Sequence, residues 1–359
     1  MSSEYCLNIL FSPLVFLLFC TIKAAAIIKI AETETIPALF AFGDSILDTG
    51  NNNNLVSIIK TNFPPYGRDF VGGKPTGRAS DGKVPSDLIA EALGIKELLP
   101  AYLHEDTKVE DFPTGVCFAS SGSGYDPLTT TLLQVLSLSD QLDLFKEYIT
   151  KLRGTAGEDR ANFIISNGLY IVSAGNNDIG LSYFLTQLRK LQYDVPSYNA
   201  FLVASASSFL KELYELGARR IAVFSTIPLG CVPILRTLFG GIQRVCPENI
   251  KEAAELFNAN LSTELHSLSN NLPDANIFLV DVYNPLLHLS RDPAKFGFEV
   301  GDRGCCGTGT VEFCETCNEL VDLLSCSDAS KYAWWDSVHP SEMGYKILVS
   351  QILQKNINN

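Results

Sequence analysis

Short apolar runs alternate with longer stretches of helical periodicity along most of this chain. Ala38 to Phe42, Val116 to Ala119, Leu169 to Ser173, Arg220 to Phe224 and Ile277 to Val282 are each apolar and bounded by polar or glycine turns, which predicts buried strands. The clearest helix runs from Glu248 to Leu272. Its stripe of Ile250, Ala254, Phe257, Leu261, Leu265, Leu268 and Leu272 repeats at three- and four-residue steps, with Pro247 at its start and Pro273 beyond its end. Leu138 to Leu152, Tyr198 to Leu216 and Glu342 to Gln354 follow the same period less strictly. Strands that must bury two apolar sides, separated by amphipathic helices, predict a three-layer α/β/α domain around a mainly parallel sheet of five strands.

Nothing in the chain marks a division into two halves. It has no Pro- or Ser-rich linker and no internal repeat, and Gly72 to Gly77 and Gly301 to Gly309 are expected to be loops. One domain over residues 35–356 is therefore expected, with long insertions around its active edge. At 359 residues and 46% hydrophobic, the chain can bury a substantial core. A net charge of -13, from 27 Lys and Arg against 40 Asp and Glu, argues against nucleic acid or an anionic lipid surface as partner.

The N-terminus resembles an export signal. Ile9 to Ile22 is apolar but for Ser12 and Thr21, is shorter than the roughly 20 residues of a membrane span, and leads into Lys23-Ala24-Ala25-Ala26. Residues 1–26 are thus expected to be a cleaved signal peptide. An n-region with Glu4 and no Lys or Arg leaves a retained anchor as the alternative. No later run has the length of a transmembrane helix, so the mature chain is expected to lack a stable span.

Ten cysteines fit the same compartment. Cys6 and Cys20 would leave with the leader; Cys117, Cys231, Cys246, Cys305, Cys306, Cys314, Cys317 and Cys326 would remain, enough for up to four disulfides. Cys314-Glu315-Thr316-Cys317 has the spacing of half a zinc site. No second CxxC completes it, so disulfide stapling of this late glycine-rich loop is the expectation and zinc or a redox dithiol the alternative.

Candidate chemistry lies at opposite ends of the chain. Gly43-Asp44-Ser45 follows the first apolar run directly, and Asp336-Ser337-Val338-His339 stands near the C-terminus. A serine hydroxyl needs an imidazole to take its proton, and a carboxylate to hold that imidazole in the useful tautomer. Spacing alone leaves blander roles open: Ser45 as a helix cap, Asp336 and His339 as a turn and a surface group. Parallel sheets bind ligands beyond the carboxyl ends of their strands, which is where Ser45 falls.

These motifs sit within a larger ordered set. Phe42 to Asn53 reads FGDSILDTGNNN, and Gly77-Arg78-Ala79-Ser80-Asp81-Gly82 follows. Then come Phe118 to Thr129, Ser173-Ala174-Gly175-Asn176-Asn177-Asp178, Gly230-Cys231-Val232-Pro233 and Trp335 to Glu342. In content and order the set resembles the plant GDSL, or SGNH, esterases and lipases, most closely their secreted extracellular-lipase subgroup. The resemblance implies the flavodoxin-like SGNH-hydrolase fold and a carboxylic ester hydrolase that works through an acyl-enzyme without a cofactor or metal. Its substrates would be small-molecule, lipid or cell-wall esters, and its location extracellular or in the cell wall.

Carried onto matching positions, the resemblance makes Ser45 the nucleophile, His339 the base and Asp336 the orienting carboxylate. The Ser45 and Gly122 N–H groups and the Asn177 side-chain amide would form the oxyanion hole, with Asn176 the competing amide. Asp178, Asp44 and Asp48 are expected to be structural. Cys117 stands where the family usually has Asn, implying a free thiol or an unusual disulfide. Ser121 stands where Gly is common and is expected to narrow the loop beside the oxyanion hole. His104, His266 and His288 have no such framing. Asn260-Leu261-Ser262 is the one N-glycosylation sequon.

Two other readings use the same fold: an acyltransferase whose acyl-enzyme is resolved by an alcohol, and a catalytically silent extracellular binding protein. A dinucleotide-dependent oxidoreductase is not favoured, because no strand-linked GxGxxG occurs.

Overall fold

A computed structural model describes residues 36–308, 317–318 and 325–357. The leader, with Cys6 and Cys20, and also Cys314 lie outside the described residues. Strand β1 (Leu39–Gly43) pairs in parallel with β2 (Leu169–Ser173), β2 with β3 (Arg220–Phe224) and β3 with β4 (Asn276–Val280). The helices in chain order are α1 (Pro85–Ala92), α2 (Pro127–Leu133), α3 (Leu138–Ala156), α4 (Glu158–Asn167) and α5 (Val195–Glu215), then α6 (Pro233–Phe239), α7 (Glu248–Asn271), α8 (Tyr283–Arg291) and α9 (Glu342–Ile357).

The layering follows from the pleat. Every residue of β1 is buried, as a strand covered on both faces must be. Phe40 and Phe42 point to one side, against Phe145 and Tyr148 of α3 and Phe209 of α5. Helix α5 packs on α7 in that layer, while α1 and α8 pack on α9 in the other. The expected stripe of α7 is buried from Ile250 to Leu268, with Ala253 added to it.

The fifth expected strand is not a regular one. Val116 to Ala119 lies beside β1 but is joined to it through an isolated parallel bridge at Ala41 and Cys117. The Ala41 carbonyl accepts from both Phe118 and Ala119 N–H, so the ladder loses its alternation there. The regular sheet therefore has four strands, with Val116–Ala119 on the free side of β1. Gly301 to Gly304, expected as loop, belongs instead to strand β5 (Val300–Gly304), which pairs in parallel with β6 (Tyr332–Trp334).

The order 116–119, β1, β2, β3, β4 puts β1 where the winding direction reverses. Loops leaving neighbouring strands diverge at such a point and open a crevice beyond their carboxyl ends. Ser45, Gly122 and Asn177 all lie on segments that leave this edge, after β1, after 116–119 and after β2.

Candidate active site

Gly43 ends β1 with φ of 114°, and a Cβ there would overlap the Ser173 carbonyl of β2, so only glycine lets the chain turn this close to its neighbour. Gln141 of α3 clamps both sides of that residue, accepting from Gly43 N–H at 2.7 Å and donating to its carbonyl at 3.0 Å. Asp44 follows, buried, with its carboxylate accepting from Ile46 N–H, Ser173 Oγ and Asn176 Nδ2. Ser45 is left at the crest of a turn. No helix begins there among the described residues, so the capping role has no helix to serve.

The other half of the site comes from the segment between β6 and α9. Asp336 Oδ1 accepts the N–H groups of Val338 and His339, at 2.8 and 2.6 Å, which curls the chain so that the imidazole folds back on the carboxylate. His339 Nδ1 lies 2.8 Å from Asp336 Oδ2, and its Nε2 lies 2.7 Å from Ser45 Oγ. Carboxylate, imidazole and hydroxyl thus stand in series across 294 residues of sequence separation. With Nδ1 donating to Asp336, Nε2 is the lone-pair nitrogen that faces the hydroxyl.

Electrostatics follow from burial and pairing. Desolvation alone would push Asp336 up, but the His339 charge, the hydrogen bond to its ring and two backbone N–H groups hold it below the usual carboxylate range. Burial works against the His339 imidazolium, yet the Asp336 charge and hydrogen bond, with the Asp44 charge beyond, raise its pKa above the ordinary value. Asp44 itself is pushed up to about 6 by burial, against the pull of its hydrogen-bond donors.

Gly122 has φ of 89°, and a Cβ there would stand 2.8 Å from Leu133 Cδ1. Among the described residues, neither the Ser45 N–H nor the Gly122 N–H has an acceptor within the protein. Asn177 spends one amide hydrogen on the Ser123 carbonyl at 2.8 Å, leaving the second. Asn176 is committed at both ends, donating to Asp44 and accepting from Ile227 N–H, which separates the two candidate amides.

Several neighbours do different work from the hydroxyl and imidazole. Asp178 accepts from Tyr125 N–H, Asp126 N–H and Thr129 Oγ1 and is pushed up to about 7 by burial. Asp48 gathers the N–H groups of Gly50, Asn51 and Ser121. Ser121, expected to narrow the oxyanion loop, instead turns its Oγ onto Asp48 at 2.8 Å. Cys117 is a buried free thiol that donates to the Leu47 carbonyl, not a disulfide partner. The disulfides among the described residues are Cys231–Cys246, Cys305–Cys326 and Cys306–Cys317, so Cys317 of the CxxC is not a zinc ligand. His266 and His288 are exposed on α7 and α8, and His104 Nδ1 accepts from the nearby Asp106 N–H. Sequence reading passed over Tyr66, whose hydroxyl reaches Asp336, and Gln141; neither lies in a motif that signals a contact so distant in the chain.

A nucleophile-type hydroxyl, an oriented imidazole and free N–H donors at the carboxyl edge of a parallel sheet define an α/β/α serine hydrolase. The chain belongs to the GDSL-like Lipase/Acylhydrolase family, which it matches over residues 39–352. It is similar to the GDSL esterase/lipase At3g14820 of Arabidopsis thaliana, 51% identical over 90% of this chain and 91% of that one. The GDSL esterase/lipase At5g42170 of the same plant is 50% identical over 92% and 89%. The protein is a carboxylic ester hydrolase that works through a serine acyl-enzyme.

Proposed function

We propose that Ser45 attacks the ester carbonyl while His339 takes its proton and passes it to the leaving alcohol, with Asp336 fixing the imidazole. The Ser45 and Gly122 N–H groups and the remaining Asn177 amide hydrogen stabilise the oxyanion, and water then repeats the sequence to release the acid. The carrying observation is the unbroken series from Asp336 through His339 to Ser45. The substrates proposed are uncharged lipid or cell-wall esters, which a protein of net charge -13 does not repel. Residues 1–26 are proposed to be removed on export, leaving one catalytic domain over 35–356, and the three disulfides support an oxidising, extracellular destination. Among the described residues no helix is long and apolar enough to cross a membrane. Asn260, half-buried on α7, is the proposed glycan acceptor.

Labelling with a fluorescent organophosphonate, beside an ester panel of graded acyl length, tests this reading. Wild type should label stoichiometrically and Ser45→Ala neither label nor turn over. Undiminished turnover by purified Ser45→Ala would overturn it.

A further inference from the structure

Among the described residues, the Asp336 carboxylate has one hydrogen-bond partner from outside its own segment. The Tyr66 hydroxyl, 270 residues earlier in the chain, donates to Oδ2 at 2.8 Å, the same oxygen that holds His339 Nδ1. Both side chains are buried. With the Val338 and His339 N–H groups on Oδ1, Tyr66 closes the shell of the carboxylate, so neither oxygen can swing away from the imidazole.

Tyr66 is itself held by a small second core. Its ring meets Phe63 and Trp335 edge to face, and it packs with Cys305, Cys306 and Cys317. Arg68 lies 5.0 Å over the Trp335 ring and donates to the Cys326 carbonyl at 2.8 Å. Cys305 and Cys306 N–H donate in turn to the Trp334 and Trp335 carbonyls. The disulfide-stapled segment, the aromatic nest and Asp336 therefore form one connected body.

We infer that Tyr66 is a positioning residue for the esterase reaction: its phenol fixes the Asp336 carboxylate and, through it, sets the proton affinity and orientation of His339. This rests on the proposed roles of Ser45, His339 and Asp336. Other groups face the pair without competing for this role. Asp44 acts on His339 through charge alone. Tyr345 of α9 feels the charges of Asp336, Asp44 and Asp81, but its hydroxyl has no hydrogen-bond partner among the described residues. Arg68 is engaged with the Trp335 ring and does not contribute to the charge environment of Asp336 or His339.

Removing the phenol hydroxyl withdraws one donor from an ionised carboxylate, which becomes more basic and holds the imidazolium more tightly. Tyr66→Phe should therefore lower kcat about tenfold, in line with a hydrogen bond to a charged group. KM should change little, and the acid limb of kcat/KM should move to higher pH. Site-specific 3-fluorotyrosine at position 66, a stronger donor of nearly the same shape, should move that limb to lower pH, and it covers the case in which Tyr66→Phe folds poorly. A purely structural Tyr66 would lower the unfolding midpoint and leave both pH profiles in place, and that result would overturn the inference. Organophosphonate labelling of Ser45→Ala in parallel separates the two readings: if that variant still labels, the proposed nucleophile is wrong, whereas its silence beside unmoved Tyr66 profiles removes only the role of Tyr66.

Discussion

His339 sits between two carboxylates that pull it the same way, Asp336 by hydrogen bond and Asp44 by charge. In the proposed mechanism only the neutral imidazole can take the proton of Ser45, so a raised pKa moves the acid limb of kcat/KM above the ordinary histidine value of about 6.5. Asp44→Asn removes one of the two pulls, and the limb should move to lower pH; a profile from pH 5 to 9 on an uncharged ester checks both statements. The proposed oxyanion donors carry a different signature. Asn177→Ala should lower kcat by about 10²- to 10³-fold with KM nearly unchanged, because the lost donor acts on charge that develops only in the transition state. At Cys117, burial pushes the thiol up to about 12. Native protein at pH 8 should therefore resist iodoacetamide at this residue and become labelled there after unfolding, as peptide mass mapping would show. Much of this scale was legible because the proposed site sits in short motifs: Ser45, Asp336, His339, Gly122 and Asn177 lie together at one edge. The roles of Asn176, Ser121 and Tyr66 were not, since each is fixed by which acceptor lies opposite in space, and neighbouring residues carry no record of that.

Among the elements, a buried ion pair joins the loop segments around the site to the first helix. Arg78 lays its guanidinium fork on Asp87 of α1 at 2.7 and 2.8 Å, and also donates to the carbonyls of Thr49 and Leu99. This ties the loop after Ser45 to the start of α1. Arg78→Met should cost about 3–5 kcal/mol in urea unfolding, because the Asp87 carboxylate is left buried without its cation. A loss within 1 kcal/mol would show that water or a neighbour replaces the guanidinium. Long amphipathic helices such as α5 and α7 were readable from period alone, since one apolar stripe meets one continuous core. Helices α1, α2 and α6 were not. Each is too short to establish a period, and each begins with proline at its first residue, which sets its start without marking its length. The π-helical turn from Asp178 to Leu185 is set by the anchorage of Asp178 on the 125–129 segment, a tertiary cause invisible to local pattern.

At the scale of the whole molecule, the covalent bridges flank the site instead of lying scattered. Cys305–Cys326 and Cys306–Cys317 back the segment that carries Asp336. Cys231–Cys246 encloses α6, whose Ile234 N–H donates to the Ser337 carbonyl at 2.9 Å, between Asp336 and His339. A site assembled from the two ends of the chain is expected to depend on such bracing, because the loop bearing the proposed base lies outside the regular sheet. Closing a loop between cysteines 15 positions apart, the Cys231–Cys246 bridge should contribute about 3 kcal/mol by restricting the unfolded chain. Protein with Cys231→Ser and Cys246→Ser should therefore unfold at lower urea concentration than wild type by that amount. Its ester turnover should fall further than its folded fraction does, since α6 no longer steadies the Asp336–His339 segment. Intact mass of wild type recovered from the secretory route should rise by two hydrogens per bridge on reduction. Free thiols at Cys231 and Cys246 in that material, or a double-serine variant as active and as stable as wild type, would refute the bracing role.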